Sequence, residues 1–194
     1  EEILYLLGIL LHPRNVGIPF PLIFSGPRES AAYFEQIDRF LRLALGDDVA
    51  KYYQIIVDDP ASVARSVVKG IERVRKYRLD NSDAFFFNWA INIDESLQHP
   101  FVPSHAAMAS LNLHRDQPKH RFAADLRRAF SGIVAGNVKI EGMRAIEQHG
   151  PFRIHGDREI MQALDALLAS FVEQDRMKLP GGAAYVPCYR ISTE

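Results

Sequence analysis

Pro19-Phe20-Pro21-Leu22-Ile23-Phe24-Ser25-Gly26-Pro27 and Gln54-Ile55-Ile56-Val57-Asp58-Asp59-Pro60 carry the reading of the fold. Each is a short apolar run that stops at polar residues and a proline, the pattern of a buried strand feeding a helix. After the first run, Pro27 is expected at the first helical position, where its missing N–H costs nothing. Phe34, Ile37, Phe40, Leu41, Ala44 and Leu45 then come at helical spacing, and Gly46 closes the helix. After the second run, Asp59 is the expected N-cap with Pro60 in the first turn, and Val63, Val67, Val68, Ile71 and Val74 mark the expected buried face. Short apolar strands alternating with helices predict a parallel sheet covered by helices.

Upstream, Glu1-Glu2-Ile3-Leu4-Tyr5-Leu6-Leu7-Gly8-Ile9-Leu10-Leu11 reads as a helix buried on most faces and ended by His12-Pro13. Two strands do not make such a sheet alone, and the chain opens on carboxylates with no Met, cap or preceding strand. Both features predict a fragment whose remaining sheet lies further upstream. Glu1 and Glu2 suit the positive end of a helix dipole, as helix-starting acids or as a catalytic carboxylate.

Downstream, the character changes near Leu79 to Ser82, and a domain boundary is expected near residue 80, giving segments 1–80 and 81–194. Asp83-Ala84-Phe85-Phe86-Phe87-Asn88-Trp89 is aromatic-rich, and Asp94 to Pro103 is irregular. Helices are predicted over Ser104 to Leu111, Pro118 to about Ala135, Val138 to Gln148, and Asp157 to about Met177. Phe152 to His155 reads as a short extended link. Tyr185 to Ile191 reads as a β-prone tail suited to pairing with a strand or a partner chain. The fold class is therefore α/β: the C-terminal part of a parallel-sheet nucleotide-binding-like domain, then a mostly helical domain.

Composition narrows the function classes. The 194 residues are 47% hydrophobic and 24% charged with a formal net charge of −1, so the chain can bury a core and lacks the basic footprint of a nucleic-acid binder. No apolar run approaches the ~20 residues of a membrane span. Cys188 is the single cysteine, which excludes an internal disulfide, suits a cytoplasmic setting and reads as a buried thiol. His99 and His105, like His114 and His120, do not have the spacing of a helical ligand pair, so no metal site is expected.

Several constellations keep two readings. Ser25-Gly26 is a plain strand-to-helix turn or a ligand-binding strand end. Ser131 to Lys139 is a helix-to-helix turn with Gly136 at the C-cap, or a phosphate contact through Lys139 with Arg127 and Arg128 nearby. Arg73, Arg75, Lys76 and Arg78 complement a helix C-terminus, or bind anions.

The chain also resembles the LONELY GUY (LOG) family, long labelled "lysine decarboxylase-like". Glu1 to Leu10 resembles the helix just after that family's Pro-Gly-Gly-x-Gly-Thr motif, whose closing glutamate falls on Glu2. Pro21 to Gly26 with Tyr33-Phe34, and Ile55 to Pro60, resemble its next strand–helix units. Phe87-Asn88-Trp89, Pro103-Ser104-His105, Ala123 to Lys139 and Arg176-Met177-Lys178-Leu179-Pro180-Gly181 are similar to its long bacterial branch, the nucleoside 5′-monophosphate nucleosidases. The resemblance implies a Rossmann-like catalytic domain that hydrolyses the N-glycosidic bond to free base and ribose 5-phosphate without a cofactor. It implies Glu2 as the catalytic carboxylate and Glu2, Ser25 and Gly26 as nucleotide contacts, with Glu1 a helix-start residue. It further implies a homo-oligomer, a tetramer, controlled by the alarmone (p)ppGpp. An effector with several phosphates needs clustered cations, which makes Arg73, Arg75, Arg78, Arg127, Arg128 and Lys139 the allosteric candidates. The family's phosphate-binding glycines and partner arginine are not in the sequence, so this stretch by itself is expected to be inactive.

Overall fold

The computed structural model describes residues 1–82 and 91–192. The aromatic stretch from Asp83 to Trp89, including Phe87-Asn88-Trp89, lies outside the described residues. The chain forms two compact units: residues 9–94 form one, and residues 1–8 with 95–194 form the other.

The first unit contains β1 (Ile23–Gly26), α2 (Ala31–Leu45), β2 (Gln54–Val57) and α3 (Pro60–Asp80); α1 (Glu2–Leu10) precedes them in the chain. β1 and β2 are parallel, with Ile23 opposite Gln54 and Gly26 opposite Val57. The six apolar positions expected on α2 are all buried. Phe24 stacks on Tyr53 at 4.8 Å and on Phe34 at 6.4 Å between ring centroids, which joins strand to helix. Gly46 ends α2 at φ +87°, a conformation that favours glycine.

Two local expectations need correction. Pro27 is extended (φ −66°, ψ 171°), so a 3-10 turn over Arg28–Ser30 intervenes and α2 starts at Ala31. On α3, Asp59 and Pro60 start the helix as expected, and Asp59 accepts a hydrogen bond from the Ser62 N–H at 2.8 Å. The buried stripe is different, however: Val67, Val68 and Ile71 are 40%, 55% and 44% exposed. Val63, Ser66, Gly70, Val74 and Tyr77 occupy the less exposed side, a stripe at helical spacing centred on Gly70. The reason is close contact: a Cβ on Gly70 would lie 2.5 Å from the Cβ of Pro21, so α3 rests on this glycine and turns its branched residues outward.

The second unit contains α4 (Glu95–Gln98), α5 (His105–Ala109), β3 (Asn112–Leu113), α6 (Lys119–Val138), α7 (Ile140–His149), β4 (Phe152–Gly156), α8 (Arg158–Glu173) and β5 (Tyr189–Ile191). The segment expected to be a link is the centre of a three-stranded parallel sheet, ordered β3-β4-β5. The C-terminal tail supplies its edge by pairing within the chain, Phe152 opposite Tyr189 and Ile154 opposite Ile191. Phe152 and Ile154 point inward with Phe122, Leu126, Ile133, Ile160, Met161 and Leu164, all nearly or wholly inaccessible. Gly136 is not a C-cap. α6 continues to Val138 and Lys139 caps it, because Gly136 is the point where α6 meets Cys188 and Phe152. In this unit, a Cβ on Gly8 would lie 3.2 Å from Leu97 and 3.5 Å from the His120 carbonyl oxygen, so α1 packs tightly at Gly8, in its last turn. No described helix is long and apolar enough to cross a membrane.

Candidate functional site

Parallel strands joined by a helix present their carboxyl ends on one side, where ligands of open α/β sheets bind. In the first unit that side holds a crevice of about 410 Å³ lined by Ser25, Gly26, Pro27, Asp58, Asp59, Pro60 and Val63. Ser25 is exposed at its mouth. The Asp58 N–H donates to the Gly26 carbonyl at 3.0 Å and extends the strand pairing by one residue. Asp58 then turns sharply, at φ +58°. Gly26 is confined as well: a Cβ there would lie 2.9 Å from the Ser30 hydroxyl and 3.2 Å from Phe34. Arg28 donates to the Asp58 carboxylate at 3.1 Å, and Asp59 accepts from both the hydroxyl and the N–H of Ser62. These hydrogen bonds, the hydroxyl first, hold Asp59 below the usual carboxylate range. The crevice offers a serine hydroxyl, backbone groups and engaged carboxylates, a set suited to neutral hydroxyls rather than to a bare phosphate.

The carboxylates of Glu1 and Glu2 have different surroundings, both in the second unit. Glu2 begins α1 and its side chain is 93% exposed, against 32% for Glu1. Its own backbone N–H, and more weakly Arg127, hold the Glu2 carboxyl below its ordinary range, so it is anionic near neutrality. The Glu1 carboxylate lies 3.5 Å from Arg127 Nη2. The same guanidinium sits 5.3 Å from the centre of the Tyr5 ring, one turn along α1. Nothing in the local sequence links Glu1 to Arg127; only the packing of α1 and α6 joins them.

The six cationic candidates do not form one cluster. Arg73 is exposed on α3 and, with Gln54, Ser66, Lys69, Glu72 and Lys76, lines a groove of about 420 Å³. Arg75 is exposed on the same helix, and Arg78 is half-buried in its last turn. Arg127 and Arg128 are consecutive on α6 but turn apart. Arg128 donates to the Ser96 carbonyl at 2.7 Å and to Asp125 at 3.4 Å, which ties α4 to α6. Lys139 is exposed at the end of α6, roughly 16 Å along the axis from Arg128 at 1.5 Å per residue.

One cluster has no counterpart among the sequence motifs. At the carboxyl ends of β3 and β4, Asp157 accepts from the Arg115 N–H at 3.1 Å and guanidinium at 3.0 Å and pairs with His114 Nδ1 at 3.1 Å. Arg115 reaches on to Glu159 at 2.7 Å. Partial burial pushes Asp157 up, but the hydrogen bonds outweigh it and leave the carboxyl below its usual range. Cys188 is buried as expected, and burial raises its thiol to about 11.

Comparison with known proteins adds an independent line. The family described as "Pyrimidine/purine nucleotide monophosphate nucleosidase, C-terminal" matches residues 71–192. The chain is 55% identical over 193 residues to proteins named "Pyrimidine/purine nucleotide 5'-monophosphate nucleosidase" from Escherichia coli K12 and Escherichia coli O157:H7. The similarity covers 100% of this chain and 42% of each relative, so the chain spans less than half the length of the curated relatives it matches.

Proposed function

We propose, from the premise that this chain belongs to the pyrimidine/purine nucleotide monophosphate nucleosidase C-terminal family, that it is part of a hydrolase acting on nucleoside 5′-monophosphates. The reaction adds water across the N-glycosidic bond: hydroxide joins the ribose carbon, the base leaves with a proton, and ribose 5-phosphate remains. The observation that carries this reading is the 55% identity, sustained over the whole chain, to relatives bearing that name.

Glu2 is the proposed catalytic carboxylate. Breaking the bond builds positive charge on the ribose, and an exposed, ionised carboxylate at a helix start is suited to stabilise it and to orient the attacking water. Ser25 and Gly26 are the proposed nucleotide contacts, through the strand-end crevice. The parallel β1–α2–β2 arrangement, within residues 9–94, supports a Rossmann-like, LOG-type domain; the proposed division stays 1–80 for catalysis and 81–194 for regulation and oligomerisation. The cytoplasmic, tetrameric form and the (p)ppGpp effector belong to the same proposal. Among the six cations, Arg73 is the strongest effector contact, because it faces a groove with Lys69 and Lys76.

The test is base release from AMP, GMP and pyrimidine monophosphates by the intact protein, followed by chromatography. Glu2→Gln is expected to lose most of the rate; turnover at the wild-type rate would overturn the role of Glu2.

A further inference from the structure

We infer that Arg127 is a positioning residue for the nucleosidase site: it binds Glu1 against Tyr5 and so fixes the first turn of α1, from which Glu2 projects. The inference rests on the proposed role of Glu2 and adds a residue 125 positions away in the chain.

Two neighbouring carboxylates repel each other, and a cation held against one of them offsets that repulsion. The Glu1 carbonyl accepts the first helical hydrogen bond, from the Tyr5 N–H at 3.1 Å. Whatever fixes Glu1 therefore fixes the phase of the first turn and the direction of Glu2. Arg127 is suited to fix it. Its own backbone lies in the middle of α6 beside Leu126, which is wholly inaccessible, and its side chain is only 18% exposed. The guanidinium spans both ends of the turn, with Nη2 3.5 Å from the Glu1 carboxylate and its centre 5.3 Å from the Tyr5 ring. The pair is partly buried, Arg127 at 18% and Glu1 at 32% exposed, so it is screened less than a fully exposed one. Arg127 contacts Glu1 and Tyr5 and reaches Glu2 only weakly, by its charge, so it acts chiefly through the helix start. The arrangement also makes a residue of the matched family region, 71–192, a determinant of the geometry at α1.

The test is steady-state base release from AMP by the intact protein carrying Arg127→Gln, Arg127→Lys, Glu1→Gln, Glu2→Gln or Arg127→Gln with Glu2→Gln. A misplaced catalytic group lowers kcat more than it changes KM, and residues acting as a unit are not additive. Arg127→Gln is expected to lower kcat about tenfold with KM within about threefold, Glu1→Gln to reproduce that loss, and Arg127→Lys to restore most of it. The double variant is expected to be no slower than Glu2→Gln alone. Arg127→Gln or Glu1→Gln with kcat within about twofold of wild type, or losses that multiply in the double variant, would overturn the inference. If Arg127→Gln does not fold, Glu1→Gln and Arg127→Lys decide it. Wild-type turnover by Glu2→Gln would instead overturn the underlying role of Glu2, whatever Arg127 does.

Discussion

Gly136 and Cys188 meet where α6 crosses the C-terminal tail: a Cβ on the glycine would stand 2.7 Å from the cysteine sulfur and 3.3 Å from the Phe152 ring. The thiol is held from the other side, where it lies 3.5 Å from the Ile133 carbonyl and accepts from Asn137 Nδ2 at 3.3 Å. Neither partner has room to give. Gly136→Ala is expected to destabilise the intact protein by about 1–3 kcal/mol, the range for overpacking, despite alanine's better helix propensity. Chemical denaturation checks it; a variant as stable as wild type would mean the tail shifts freely.

The same burial governs reactivity. With its thiol raised to about 11, Cys188 carries little thiolate at neutral pH and is shielded from reagents. Labelling with a disulfide reagent is expected to be negligible in the native protein and complete after denaturation. Native labelling as fast as that of a free thiol would show that the tail opens.

Much of the first unit is legible in the sequence because its signals are local. The α2 positions from Phe34 to Leu45 repeat at 3.6 residues, and Asp59-Pro60 is a cap written in adjacent letters. The α3 face departs from its apolar pattern because a glycine contact with Pro21 outweighs the apolar count of Val67, Val68 and Ile71. The β3-β4-β5 sheet is hidden for a different reason. The tail at Tyr189–Ile191 is legible as β-prone, but Asn112–Leu113 is too short to show a period, and the alternation in Phe152–Gly156 becomes meaningful only with its neighbours in place. The Glu1–Arg127 pair and the Asp157 cluster join residues far apart in the chain, which no local pattern encodes.

Asp157 gives the second unit an acid limit. Its folded pKa is depressed, so its contribution is fully present above about 3.8, the ordinary aspartate value, and is lost as pH falls through the folded value. Denaturation midpoints measured down through that range are expected to fall, and Asp157→Asn is expected to flatten the fall while lowering stability near neutrality by roughly 1–3 kcal/mol. An unchanged acid limb in Asp157→Asn would remove this cluster from the account.

The proposed effector gives a comparison between two cation groups. Charge-assisted contacts to phosphate are worth roughly 1.5–3 kcal/mol each, or about tenfold or more in affinity. Calorimetry with (p)ppGpp on the intact protein is expected to show at least that loss in Lys69→Ala/Arg73→Ala, and little change in Arg127→Ala/Arg128→Ala, whose guanidiniums already bind Glu1, Ser96 and Asp125. The opposite order would move the effector site to α6.

Gly70 sets two effects of known size against each other. Replacing a mid-helix glycine with alanine gains about 1 kcal/mol of helix propensity. At this position the new Cβ would also stand 2.5 Å from Pro21 Cβ and 2.9 Å from Pro21 Cγ, both in a rigid ring. Relief requires α3 to lift from the Pro19–Pro21 segment, and overpacking of this kind costs about 1–3 kcal/mol. The clash therefore wins: Gly70→Ala is expected to lose up to about 2 kcal/mol in the intact protein, and Gly70→Val more. A stabilised Gly70→Ala would show that α3 slides on Pro21 at negligible cost, and that its exposed Val67, Val68 and Ile71 do not have a fixed orientation.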